Sequence, residues 1–201
     1  MNDFVTEELI LKVVDFHGHM CPGLALGIRV AEIALREIGP HAQDEEVVAV
    51  VETDMCAIDA VQVLTGCTLG KGNLVYKDYG KKAFSFYRRS DGKGIRIVAR
   101  PKVFGSLDSE REELFGKLHT GDLTAEEQER FGELKRSLVE KILHAPLKDL
   151  FEIKDPPGQA PAPARIHTSV VCDVCGEAIM ETRINQSEGR KLCIPCSEGS
   201  S

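Results

Sequence analysis

Residues 47–51 read Val47-Val48-Ala49-Val50-Val51, five apolar positions in a row, four of them β-branched. Such a run is too short for an ordinary helix, and β-branched side chains suit a pleated backbone. With no polar alternation, it describes a strand covered on both faces. The flanking segments supply the cover. Upstream, Leu24, Ile28, Ala31, Leu35 and Ile38 recur at three- and four-residue steps, which predicts a helix from Pro22 to Ile38, stopped by Gly39-Pro40. A helix before it spans Thr6 to about Val14, with Thr6 as N-cap and Glu7 and Glu8 at its positive end. Downstream, a helix is expected from about Cys56 to Leu64. Ala83–Arg88 and Ile95–Arg100 then read as two strands joined around Asp91-Gly92-Lys93-Gly94. Thr124-Ala125-Glu126-Glu127 is a capping box, and Phe131, Leu134, Leu138 and Ile142 mark one face of the helix behind it. The sum is an α+β core.

The chain has 201 residues, 42% hydrophobic and 28% charged, without tryptophan, the composition of a globular protein. No apolar run approaches the roughly 20 residues of a membrane span. Glu7 and Glu8 stand where a secretory signal would carry positive charge, so the expected location is the cytoplasm. A net charge of -7 gives the whole chain no footprint for polyanions. Asp155–Ala164 reads Asp-Pro-Pro-Gly-Gln-Ala-Pro-Ala-Pro-Ala, which cannot donate a regular backbone ladder and favours extended conformations. The expected organisation is therefore a core domain at 1–154, a proline-rich linker at 155–164 and a small domain at 165–201.

Seven cysteines is an odd number, and in a reducing compartment clustered cysteines point to metal rather than to disulfides. Cys172-x-x-Cys175 and Cys193-x-x-Cys196 are separated by seventeen residues, the spacing of a ribbon-like zinc finger. Gly176 follows the first pair, where the knuckle needs a left-handed residue. A module this small has too little core to fold alone, so a structural zinc would supply its stability. Arg165, Arg183, Arg190 and Lys191 are balanced by Asp173, Glu177, Glu181 and Glu188, which favours a protein-contact role for the finger over a phosphate-tracking one.

A second group lies near the N-terminus. His17-x-His19-x-Cys21 places three potential ligands two residues apart, on one side of an extended segment. Pro22 favours that extended state for Cys21 and opens the following helix, so Cys21 sits at a helix N-terminus, where a thiolate is stabilised. Cys56 and Cys67 also fall at element ends. A site of His17, His19, Cys21, Cys56 and Cys67 competes with buried cysteines acting as small hydrophobes and hydrogen-bonded histidines. Asp54 and Asp59 read as helix-cap and solvated-face residues before they read as carboxylates supporting a site. Lys71 lies in Gly66-Cys67-Thr68-Leu69-Gly70-Lys71-Gly72, a loop whose glycines imply a sharp turn or a close approach. It is no phosphate loop: three residues separate Gly66 from Gly70, and Gly72 stands where a magnesium-holding hydroxyl would be needed.

Phe16-His17-Gly18-His19-Met20-Cys21-Pro22-Gly23, Asp54-Met55-Cys56-Ala57-Ile58-Asp59-Ala60, Thr65-Gly66-Cys67-Thr68-Leu69-Gly70-Lys71-Gly72-Asn73 and Asp78-Tyr79-Gly80-Lys81-Lys82-Ala83-Phe84 together resemble the family of the E-type subunit of formylmethanofuran dehydrogenase, from about residue 10 to residue 100. The C-terminal finger resembles the extra module of its longer members. The resemblance implies an α+β core, a treble-clef type finger and intertwined homodimers. It implies core metal ligands Cys21, Cys56 and Cys67 with one of His17 or His19, for a second metal ion, zinc being one candidate. It further implies an accessory role beside a molybdenum or tungsten enzyme of methanogenesis, or a stand-alone existence. The chain has no ferredoxin-type cysteine run or pterin-holding motif with which to perform that redox chemistry alone. Two other classes stand beside this one: a metal- or redox-sensing regulator whose finger binds nucleic acid, and an enzyme with an open metal position next to Asp59 or Lys71.

Overall fold

The computed structural model describes residues 4–104 and 109–199, and contacts divide the chain into two compact units at the Pro163–Ala164 bond. In the first unit, helices α1 (Glu7–His17) and α2 (Pro22–Glu37) precede strand β1 (Val47–Val51). Helix α3 (Ala57–Thr65) leads to β2 (Leu74–Tyr76) and the hairpin β3 (Ala83–Arg88) and β4 (Gly94–Ala99). Helices α4 (Ser109–Thr120), α5 (Ala125–His144) and α6 (Leu147–Leu150) then return the chain to β5 (Phe151–Lys154). The sheet order is β2-β1-β3-β4-β5, with β1 and β2 parallel and the other pairs antiparallel.

All five residues of β1 are buried, because both faces of the sheet are covered. On one face Ala49, Val51, Phe84, Phe86, Ile95 and Ile97 form the main core with Leu26, Val30 and Ile33 of α2, Val61 of α3 and Ile142 of α5. On the other, Val48, Val50 and Tyr87 pack with Ala160. The proline-rich segment supplies part of that cover: Tyr87 Oη donates to the Pro157 carbonyl at 3.2 Å and Arg89 Nη1 to that of Pro161 at 2.5 Å. Helix α1 packs on the outside of the helical layer, its Val13 among Leu24, Ile28, Ala60 and Leu64.

Thr6 caps α1 as expected, accepting the Leu9 N–H at 3.4 Å. The helix, however, continues to His17 and ends on Gly18, whose φ of 92° and N–H bond to the Val14 carbonyl at 2.7 Å close it. This overturns the expectation that His17, His19 and Cys21 share one extended segment. The capping box at Thr124 and Glu127 forms in full. The hairpin turn is held by Asp91, which accepts from Arg88 Nε at 2.9 Å and Lys93 N–H at 3.1 Å.

The glycine-rich loop is a clamp. Lys71 Nζ donates to the carbonyls of Ala42, Gln43 and Asp44 at 2.9, 3.3 and 3.1 Å. Asn73 Nδ2 donates to Asp44 and Val47 at 3.1 and 3.0 Å, and its Oδ1 accepts from Thr68 N–H at 2.9 Å. Gly66 permits the approach: its φ is +71°, and a Cβ there would stand 2.2 Å from the Ala42 oxygen. The Lys71 charge is thus committed to backbone carbonyls.

The second unit contains two hairpins, β6 (Ser169–Val171) with β7 (Ala178–Met180) and β8 (Asn185–Ser187) with β9 (Arg190–Leu192), followed by the short helix α7 (Ile194–Ser197). Glu188 and Gly189, with φ of 52° and 75°, make the turn between β8 and β9.

Candidate metal centres

Two helix N-termini meet in the first unit. Cys21 is the N-cap of α2, its Sγ accepting the Leu24 N–H at 3.3 Å, and Pro22 starts the helix. Cys56 occupies the corresponding position on α3. The two helices touch backbone to backbone because Gly27 has no side chain. A Cβ there would stand 2.3 Å from the Ala57 oxygen and 2.6 Å from its Cα. One turn earlier, a Cβ on Gly23 would stand 3.2 Å from Cys56 Cβ. The glycines therefore let α3 lie against α2 with Cys56 beside Cys21.

Helix α1 delivers the third donor. Its last residue, His17, hydrogen-bonds through Nδ1 to Asp59 Oδ2 at 2.7 Å, while Nε2 faces Cys21 Sγ at 4.0 Å. A carboxylate accepts here, so Nδ1 is the donor and Nε2 is the ring nitrogen left to face the sulfur. One donor atom each from His17, Cys21 and Cys56 lies within 4.8 Å of the others. Burial, and next the neighbouring Cys21 thiol, push the Cys56 thiol above its ordinary value. Without a cation Cys56 therefore favours its protonated thiol, and a bound cation would favour the thiolate. Two sulfurs, an imidazole nitrogen and an orienting carboxylate fit a soft or borderline divalent ion such as zinc.

The structure does not gather every residue that the sequence grouped here. His19 lies past the Gly18 turn, exposed, with its ring centroid 4.8 Å from that of His17. The helical reach of α1 and the turn at Gly18 place His17, not His19, beside the thiols. Cys67 is fully buried in the main core, its Sγ 3.5 Å from the Val47 carbonyl. Burial pushes its thiol up. Asp54 is exposed. Asp59, read from sequence as a solvated residue, is instead the partner of His17. The signal was present: three residues after Cys56, in the first turn of α3, its side chain returns toward the helix start.

In the second unit Cys172, Cys175, Cys193 and Cys196 form one cluster. The first knuckle closes through Gly176, whose φ is 76° and whose N–H reaches the Cys172 carbonyl at 3.0 Å. The second begins with Cys193 as N-cap of α7, its Sγ accepting the Cys196 N–H at 3.5 Å. Asp173 bridges the knuckles, its N–H donating to the Lys191 carbonyl at 2.9 Å and its Oδ2 accepting the Lys191 N–H at 2.6 Å. Backbone N–H groups of Cys175, Cys193 and Val174 pull the Cys172 thiol down to about 6. Amide donors thus stabilise the first thiolate of the set before any cation does.

Two family models match the chain. One, described as "FmdE, Molybdenum formylmethanofuran dehydrogenase operon", covers residues 16–152. The other, described as "Prokaryotic dksA/traR C4-type zinc finger", covers residues 167–201. The chain is 36% identical over 197 residues to a "Probable S-adenosyl-L-methionine-binding protein" of Archaeoglobus fulgidus, an alignment spanning 94% of this chain and 52% of that protein. The chain thus spans about half the length of that relative. A crystal structure of a tungsten formylmethanofuran dehydrogenase FmdE-like protein from Syntrophus aciditrophicus is similar at 27% identity, with a TM-score of 0.59 over 96% of this chain and 92% of that one.

Proposed function

The chain belongs to the FmdE family, and from that premise we propose that it is an accessory or stand-alone metalloprotein with two metal sites. A structural zinc sits among Cys172, Cys175, Cys193 and Cys196, and a second ion sits among His17, Cys21 and Cys56. The observation that carries the core site is the His17 geometry: Nδ1 is taken by Asp59 and Nε2 is turned toward Cys21, beside Cys56. Three protein donors leave a tetrahedral ion one position for an exogenous ligand. An ion there would polarise such a ligand, while Asp59 keeps His17 in the tautomer that ligates.

The finger serves protein contact. Its apolar side chains Val171, Val174, Met180 and Ile194 are exposed while its charges are mixed in sign. The partners proposed are a second copy of the chain and, where the protein acts in a complex, dehydrogenase subunits. No helix among the described residues is long and apolar enough to cross a membrane; the location proposed, from the acidic opening of the sequence, is the cytoplasm. The name of the Archaeoglobus relative makes S-adenosylmethionine the first small molecule to offer the protein.

The open core position favours a second reading, a metal-dependent enzyme. Elemental analysis of anaerobically purified protein tests both. Wild type should hold two equivalents, Cys172→Ser/Cys175→Ser should lose one, and Cys21→Ser/Cys56→Ser should lose the other. Cobalt substitution then counts thiolates from charge-transfer intensity, with about half the finger's value expected for the core. Loss of zinc in the finger variant alone, with no metal in the core, would leave a binding module without a metal centre in its first unit.

A further inference from the structure

We propose that Cys21 and Cys56 form a peroxide-reactive dithiol that closes into a disulfide and so dismantles the core donor set. As regulation of that same site, it rests on the metal reading above; the disulfide itself needs only the geometry of the two thiols.

The sulfurs lie within 4.8 Å of each other, and both residues start helices whose backbones Gly27 holds in contact. The scaffold therefore keeps the thiols together with or without an ion between them. Their situations differ. Cys21 is 7% exposed, and its sulfur is fixed by the Leu24 N–H. Cys56 is more exposed, and its side chain makes no cap bond to α3. Rotation about its Cα–Cβ bond is the simple way to close the remaining gap to bonding distance. Cys67 is an internal control, since it is fully buried and faces the Val47 carbonyl.

With hydrogen peroxide as oxidant, the Cys56 sulfur attacks one peroxide oxygen and the O–O bond breaks. The thiol proton leaves with the departing hydroxide as water, and Cys56 becomes a sulfenic acid. The Cys21 sulfur then attacks the Cys56 sulfur, the S–O bond breaks and a second water leaves with the Cys21 proton as the S–S bond forms. Two electrons pass from sulfur to peroxide. The net change is two thiols and one peroxide to one disulfide and two waters. Two of the three core donors are then gone, and an imidazole alone does not retain an ion.

The full chain, purified anaerobically, is treated with one equivalent of hydrogen peroxide, quenched with N-ethylmaleimide and digested without reduction. The expected product joins the Cys21 and Cys56 peptides, releases the core metal to a chromophoric chelator and reverts with dithiothreitol, while Cys67 remains a thiol. Metal analysis of the anaerobic protein before the peroxide treatment separates the two ideas. A Cys21–Cys56 disulfide in protein that never held core metal sinks the metal reading and leaves the dithiol standing. Recovery of both cysteines alkylated, as separate sulfinic acids, or joined to finger cysteines overturns the dithiol. In Cys56→Ser the linked peptide should vanish; a disulfide that still forms at Cys21 would also overturn it.

Discussion

Asp59 sets what His17 can do, since the 2.7 Å bond to Nδ1 fixes both the ring and its tautomer. Partners of this kind typically contribute about 10–100-fold to metal affinity. Asp59→Ala should therefore weaken the core ion by about that factor in a chelator competition, with the finger zinc unmoved. Asp59→Asn, which keeps an acceptor oxygen, should lose less. His19→Ala should leave the core metal content unchanged, because His19 stands beyond the Gly18 turn. Cys67 makes a different prediction. Burial raises its thiol in the folded state, so folding is opposed once the unfolded thiol ionises, at about pH 8.5 and above. The associated stability is intact below that pH and is lost as pH rises toward the folded value. Between pH 7 and pH 9.5 the urea midpoint of wild type should fall further than that of Cys67→Ala; equal falls would show that this thiol ionises as freely folded as unfolded. At this scale the sequence named the three core thiols but could not sort them. Cys21, Cys56 and Cys67 all fall at element ends, and only the packing of α2 on α3 separates the first two from the third.

The contact between α2 and α3 is the element on which the core site depends. A methyl group at Gly27 would meet backbone atoms of Ala57, which cannot swing aside as a side-chain tip could. Gly27→Ala should push the helices apart, costing about 1–3 kcal/mol as overpacking does, and should weaken core metal in the same variant. A loss of stability measured by denaturant with core metal unchanged would show that the helices separate away from the cysteine end. Elements with a strong local signal were legible: the capping box of α5, the apolar stripe of α2, the unbroken run of β1 and the hairpin around Asp91 all form. Elements made by tertiary contact were not. β2 and β5 have three and four residues, and their pairing with β1 and β4 defines them. α4 has no clear apolar face to read, and only Leu114 of its described side chains is buried. The end of α1 was missed for a related reason. Phe16 and His17 looked like the start of a loop, but Gly18 is the residue that terminates the helix, and it lies one position beyond the third donor.

The whole molecule is two units with different sources of stability. The first buries apolar clusters on both faces of a five-stranded sheet. Its ion pair of Arg96 Nη2 and Glu52 Oε2, at 2.8 Å and largely buried, adds a polar tie across that sheet. Among its described residues the second has three buried apolar ones, Cys172, Leu192 and Cys193, and two of those belong to the four-cysteine cluster. By the area scale of about 25 cal/mol per Å² of apolar surface, one leucine cannot hold a unit of this size folded against its chain entropy. Metal ligation is the term large enough, at about 10–16 kcal/mol in comparable finger peptides. Chelation should then act on the units unequally. With excess chelator at neutral pH, the amide signals of residues 169–197 should collapse to unfolded positions, while those of β1, β3 and β4 hold and keep their slow hydrogen exchange. Lowering the pH should make stripping easier, because each thiolate must take up a proton as zinc leaves. A finger that kept its dispersed spectrum after its zinc was removed would mean that hairpins β6–β7 and β8–β9 are held by something other than the ion between the knuckles, and the ribbon would have to be treated as a folded domain in its own right.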